Sequence, residues 1–251
     1  MTTGAPDFER SWRKRFERFA EAYDDDASIA GWSDSGLAAR MKCFVRAWSR
    51  SPESLAQAGR WLDAGSGAGT YTRFLASQGR RVTAMDYSIP TVRKARQRGG
   101  EQVAWVAADV THLPFADGTF DGALCFGVMQ ALASPHDALR EIRRVLVPGG
   151  VLWVDALNAR CVAAAYSEAR RRRRGLPAHL RYDEPEDFSA ALRGSGFGSI
   201  QAHWAPIVPS RLHVLQPVVD APIVTAMLNT IPPLAASLSH SMLLRAQASP
   251  T

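Results

Sequence analysis

Cysteine is scarce in this 251-residue chain, and lysine nearly as scarce. The three cysteines (Cys43, Cys125 and Cys161) are widely spaced and form no Cys-x-x-Cys pair. That pattern argues against a disulfide framework or a zinc site and favours a reducing, cytoplasmic setting. The only lysines are Lys14, Lys42 and Lys94, so arginine carries nearly all the positive charge behind a net +6. Such a balance permits an anionic partner without requiring one. The densest cluster, Arg170 to Arg174, reads as a solvated helix face or loop. No stretch approaches the roughly 20 apolar residues that cross a bilayer. The opening MTTGAPDFERSWRKRF has no signal-peptide pattern. The expectation is a soluble protein, at most peripheral to a membrane.

The N-terminal region carries Phe8, Trp12, Phe16, Phe19 and Tyr23 at spacings of three and four, the pattern of an amphipathic helix. The segment DDDASIAGWSDSG interrupts it, and Leu37 to Trp48 resumes a helical pattern. Residues 1–50 are therefore expected to form a helical lid on a domain spanning 51–251. From residue 59 short apolar runs ending in Asp or Gly alternate with helical segments: GRWLDAG, TYTRFLASQG, RRVTAMD, SIPTVRKARQR, QVAWVAAD, FDGALCFG, HDALREIRRVLV and GGVLWVDAL. Such alternation predicts a doubly wound, mostly parallel α/β sheet with helices on both faces and a ligand site along one sheet edge. Residues 158–183 read as an insertion, and EPEDFSAALRGSGFGSI resumes as helix, glycine stop and strand. A second, proline-rich apolar insertion covers 206–237, and HSMLLRAQ closes the chain as an expected edge strand.

The junction Asp63-Ala64-Gly65-Ser66-Gly67-Ala68-Gly69 lies directly between a strand and a helix. Its glycines allow a sharp turn and a close approach of ligand to backbone. A dinucleotide fingerprint would need glycine where Thr70 stands. Asp63 at the head of the turn is also misplaced beside a pyrophosphate, and suits a ligand offering an amino group or hydroxyls. Asp86 ends the next strand, where a carboxylate can accept hydrogen bonds from both hydroxyls of a ribose. Asp109 ends the third, where it could accept an exocyclic amino group of adenine beside the Val110 backbone. One such Asp is commonly a helix cap; three ending successive strands form a pattern.

At this point the chain resembles the class I S-adenosylmethionine (SAM)-dependent methyltransferases. DAGSGAGTYTRFLASQGRRVTAMDYS is similar to their signature and ribose segment, VAADVTHLPFADGTFDGALCFGVMQAL to the adenine segment and fourth strand, and LREIRRVLVPGGVLWVD to the fifth-strand region. The resemblance covers about residues 59–157 and implies a seven-stranded Rossmann-like fold. It places Asp63, Gly65, Ser66, Gly67 and Gly69 around the methionyl part of SAM and Asp86 on the ribose. Tyr87 falls beside the adenine, Asp109 and Val110 on its edge, and Phe126 in the methionyl pocket. It offers Tyr23, in FAEAYDDD, as an aromatic over the cofactor. S-adenosylhomocysteine would be the product.

Methyl transfer from a sulfonium is an in-line displacement that demands alignment more than a specific catalytic group. His203, towards the end of the strand FGSIQAHW, and Gln130, just after the fourth strand, are the polar candidates near a substrate. An Asn/Asp-Pro-Pro-Tyr tetrad is missing, since the corresponding stretch reads CFGVMQ, so nucleic-acid substrates lack support. No ligand cluster suggests a metal. The motif style resembles quinone, sterol and natural-product methyltransferases, and the apolar insertion at 206–237 suits the wall of an apolar pocket. A small or lipid-like acceptor is therefore the expectation. The alternatives are a protein or RNA methyltransferase, or a SAM-binding partner protein without turnover. The same insertion could instead pair two copies in a homodimer.

Overall fold

The computed structural model describes residues 5–56, 59–99, 102–176, 180–207, 214, 216–221, 224, 228 and 230–250. Much of the 206–237 segment, and with it His213, lies outside the described residues. The seven strands are β1 (Arg60–Ala64), β2 (Arg81–Asp86), β3 (Ala104–Ala107), β4 (Phe120–Cys125), β5 (Leu146–Leu157), β6 (Phe197–Pro206) and β7 (Ser239–Ala248). They form one sheet in the order β3-β2-β1-β4-β5-β7-β6. Neighbours from β3 to β5 run parallel, and β7 pairs antiparallel with both β5 and β6. The doubly wound reading of the alternating segments is thus the observed architecture.

The strand order reverses between β1 and β4, which leaves a crevice beyond their carboxyl ends. Ten α-helices accompany the sheet among the described residues: α1 (Ala5–Ala22), α2 (Asp26–Ile29), α3 (Asp34–Trp48), α4 (Thr70–Ser77), α5 (Ile89–Gly99), α6 (His136–Val145), α7 (Val162–Arg173), α8 (Pro185–Gly194), α9 (Gln216–Val219) and α10 (Pro232–Leu238). On one face Leu139, Ile142 and Val145 of α6 and Phe188 and Leu192 of α8 pack on Leu62, Leu152 and Leu244. Their spacing of three and four puts one apolar stripe of each helix on the sheet.

The opposite face is aromatic. Phe44 and Trp48 of α3 pack with Trp61, Phe74, Phe126 and Trp153, and both are 2% exposed or less. The second half of α3 therefore packs into the aromatic core on this face of the sheet.

The closing strand departs from expectation. β7 lies inside the sheet and β6 forms its edge. The residues explain this: Ser241 through Ala246 are buried on both faces, as an interior strand requires, whereas in β6 only Phe197 and Ala205 are buried. The one charge in β7, Arg245, is accommodated because Glu53 pairs with it from the turn after α3. The arginine run ends α7, and Arg170, Arg172, Arg173 and Arg174 are exposed, as a solvated face should be.

Candidate active site

A cavity opens at the carboxyl ends of β1, β2 and β4. Its floor is the strand-end loops and its roof is α1, α2 and the start of α3.

The turn after β1 shapes the floor. Gly65 sits at φ +79°, and a Cβ there would fall 2.1 Å from Val128 Cγ2, so only glycine fits. Its N–H and that of Ser66 both donate to the Met85 carbonyl at 2.8 Å, which locks the turn to the end of β2. Gly67, at φ +51°, has nothing within 4 Å of where a Cβ would stand and faces open cavity. Beside it the Ser66 hydroxyl is buried without a partner. A buried, unpaired hydroxyl next to an open backbone is suited to receive a polar ligand.

Asp86 ends β2 on the cavity wall. One carboxylate oxygen accepts the Gly67 N–H at 3.1 Å and the other the Ser88 N–H at 2.9 Å. Burial pushes its pKa up to about 6 against the pull of those two donors. Tyr87 follows on the wall, its hydroxyl donating to the Arg13 carbonyl at 3.0 Å. Asp109 ends the segment after β3, with one oxygen accepting from the Thr111 N–H at 2.9 Å and hydroxyl at 2.7 Å. Its other oxygen is bound by the Arg13 guanidinium, and these donors hold its pKa below the usual carboxylate range despite burial. Val110 and Phe126 complete this part of the wall.

Eight of the expected cofactor residues thus converge: Gly65, Ser66, Gly67, Asp86, Tyr87, Asp109, Val110 and Phe126. Three do not reach the wall. Asp63 is buried and receives the Thr72 hydroxyl, which ties the turn to α4. Burial, opposed by that hydrogen bond, raises its pKa to about 7. Gly69 stands behind the turn, where a Cβ would meet the Trp105 ring at 2.8 Å. Tyr23 is 45% exposed just past the end of α1, packed beside Phe19, with its carbonyl bound by Lys94. The aromatics that do cover the cavity come from about two and three turns earlier and from the next loop: Phe16, Trp12 and Trp32.

His203 is not brought to this cavity either. Its ring stacks on Trp153 at 5.6 Å, and it lines a separate hollow with Cys43, Arg46 and Trp204. Beyond the core, β6 turns its His203 side chain towards α3, away from the strand ends where Asp86 and Asp109 meet. Gln130 is buried in the turn after β4, and its carbonyl receives the Arg181 N–H at 3.1 Å, so it braces that turn. The described residues of 206–237 also stay off the wall, and the roof is made by α1–α3 instead.

The roof contains residues that the motifs do not indicate. Arg40 of α3 and Asp155 of β5 form an ion pair in which both side chains are 3% exposed. The second oxygen of Asp155 accepts the Gly127 N–H at 2.7 Å. Asp155 had a signal, since GGVLWVDAL is another apolar strand run with an Asp near its end. Arg40 had none. Asp26 of α2 accepts the Thr70 hydroxyl at 2.6 Å and pairs with Arg73, so the roof is anchored to the start of α4.

With the site laid out, its relatives can be placed. Residues 62–154 match a family described as a methyltransferase domain. This segment is similar to a methyltransferase domain. A malonyl-[acyl-carrier protein] O-methyltransferase from Pseudescherichia vulneris is 35% identical over 137 residues, 55% of this chain and 49% of that protein. A ubiquinone biosynthesis O-methyltransferase from Xanthomonas oryzae pv. oryzae is 32% identical over 146 residues, 54% of this chain and 61% of that protein. The chain thus spans about half to three-fifths of these relatives. Among solved structures, a chain of the complex between the Haloferax volcanii Trm112 methyltransferase activator and a methyltransferase superposes with a TM-score of 0.65. It is 20% identical and covers 93% of this chain and 97% of its own, a likeness of fold. The methyltransferase segment ends at β5, so the roof and the last two strands lie outside the family match.

Proposed function

We propose that this protein transfers a methyl group from SAM to a small or lipid-like organic acceptor. The observation that carries the reading is the Asp86 carboxylate on the cavity wall, braced by the Gly67 N–H of the open glycine turn. The residues present fit the cofactor. A ribose suits Asp86, the exocyclic amine of adenine suits Asp109, and the unpaired Ser66 hydroxyl and open Gly67 suit the methionyl end. When bound, SAM supplies an electrophilic methyl on a sulfonium. The chain's own contribution is to orient and to exclude water. Phe126 and Tyr71, whose rings lie 4.6 Å apart, close the wall next to the glycine turn, and Trp12, Phe16 and Trp32 close it from the roof.

The relatives support an organic acceptor, because one is named for malonyl-acyl-carrier protein and another for ubiquinone biosynthesis. For domain organisation we take α1 and α2 as the lid, with α3 shared between roof and core. No helix among the described residues is long and apolar enough to cross a membrane. Three free cysteines support a reducing, cytoplasmic setting. Contact with a second copy is the reading we favour for 206–237, supported by the exposure of Val214, Val218, Ile231 and Leu234.

Calorimetric titration with SAM and S-adenosylhomocysteine, alongside Asp86→Ala and an NAD control, tests the central reading. Micromolar binding of both adenosyl ligands, lost in the variant and absent for NAD, is the expected result. Binding of NAD in their place, or of none of the three, would overturn it.

A further inference from the structure

The guanidinium of Arg40 is held on two sides and unpaired on the third. Its Nη1 donates to Asp155. Its face lies 3.8 Å from the centroid of the Trp32 ring, a cation–π contact. Nε and Nη2, the two remaining nitrogens, are buried with no hydrogen-bond partner, although Arg40 is a residue of the cavity wall. These nitrogens share one edge of the planar group and present parallel N–H donors, the fork that matches the two oxygens of a carboxylate. Arginine cannot shed its proton to escape the cost of burial, so an open fork in a sealed position calls for an acceptor.

The other charges on the wall are already engaged. The Arg13 guanidinium is bound to Asp109, Glu9 accepts the Ala133 N–H, and Asp26 is taken by Thr70 and Arg73. Asp155 serves both Arg40 and the Gly127 N–H, which fixes the guanidinium in place. Around this point the wall is apolar, with Ile29, Trp32, Leu37 and Phe126.

We propose that the methyl acceptor carries a carboxylate on an apolar body, and that Arg40 grips this carboxylate through its Nε–Nη2 edge. The inference rests on the reading of this cavity as the methyl-transfer site. It makes Arg40 the residue that sets acceptor specificity, and Asp155 the residue that positions it.

The test uses 3-phenylpropanoate and 3-phenylpropanamide, titrated calorimetrically into the full chain saturated with S-adenosylhomocysteine. The carboxylate should bind at least tenfold more tightly than the amide. Arg40→Met should bring the two within twofold of each other while leaving S-adenosylhomocysteine affinity within about threefold. Because that change strands the buried Asp155 carboxylate, the paired variant Arg40→Met with Asp155→Asn repeats the measurement without an unpaired charge. Equal binding of the two probes to the unaltered chain, or no binding of the carboxylate, would overturn the proposal, as would a preference that survives in the paired variant. If S-adenosylhomocysteine itself fails to bind, the methyl-donor reading is what has failed, and this inference falls with it.

Discussion

The floor and the roof of the cavity are built by different means. The floor consists of loops leaving parallel strands, each fixed by backbone hydrogen bonds such as those from Gly65 and Ser66 to Met85. Its functional groups follow from register: neighbouring strands end level, so Asp86 and Asp109 must arrive at one edge. The roof is helical and is tied to the floor by side chains alone, through Arg13 to Asp109, Asp26 to Thr70 and Arg73, and Arg40 to Asp155. Backbone ladders resist change in sequence, whereas side-chain ties can be rewritten one residue at a time. A fixed cofactor under a variable roof is what a shared donor and differing acceptors require.

If that contrast holds, damage to the floor should be severe and general. Asp86→Ala removes the carboxylate that braces Gly67, and S-adenosylhomocysteine affinity should fall at least a hundredfold by calorimetry with the circular dichroism spectrum unchanged. A fall of less than tenfold would mean that the floor does not dominate binding. Next in size, Gly65→Ala forces a Cβ against Val128 at a positive φ. Left-handed strain and overpacking together should cost about 2 kcal/mol of stability, read as a lower urea midpoint with unchanged slope.

The pH dependence of binding sharpens the same point. Asp86 accepts hydroxyl donors in its ionised form, and burial raises its pKa to about 6. Protonation on going from pH 7.5 to pH 5 should therefore weaken S-adenosylhomocysteine binding by about tenfold, following one proton per unit below pH 6. For stability of the free protein the sign is opposite. A carboxyl whose folded pKa lies above its unfolded value destabilises the fold as pH rises through that window, and Asp63, at about 7, adds to it. Bound ligand and free protein should thus favour different pH values. A pH-independent affinity across 5–7.5 would remove Asp86 from the binding step.

A smaller effect is expected in the roof. Arg13→Ala frees Asp109 and loosens α1 without touching the strands. Stopped-flow tryptophan fluorescence, which Trp12 and Trp32 make possible, should show S-adenosylhomocysteine leaving about threefold to fivefold faster. Unchanged release would show that the Arg13 latch does not gate the cavity.

The same division explains what could be read from the chain. Asp86, Asp109 and the glycine turn are legible because strand periodicity locates their ends and a parallel sheet brings those ends together. Asp155 follows the same rule and was readable in principle. The roof is not legible: α1 places Trp12 and Phe16 on the cavity and Tyr23 off it, and periodicity alone does not say which turn of an aromatic stripe overhangs the site. Arg40 lies in an ordinary amphipathic stretch, and only tertiary packing turns it inward against Asp155 and Trp32. The order of the last strands was missed for a related reason. Burial on both faces of β7 depends on partners that lie far away in sequence, Glu53 among them.

The smallest effect expected concerns His203, and it bears on how far the strand-end rule extends. By sequence it stands towards the end of a strand, as Asp86 does, yet β6 is the edge of the sheet, three strands beyond β4, with β5 and β7 between it and the switch. There its ring stacks on Trp153, its Nε2 lacks a partner, and burial lowers its pKa, with Arg245 and Arg50 adding to the shift. A neutral, stacked imidazole behind the aromatic core serves packing. His203→Ala should therefore leave both S-adenosylhomocysteine and 3-phenylpropanoate affinities within twofold, while the loss of stacking and burial lowers stability by about 1 kcal/mol. A tenfold loss of either affinity would return His203 to the site and show that the hollow it shares with Cys43, Arg46 and Trp204 communicates with the cavity under α1–α3.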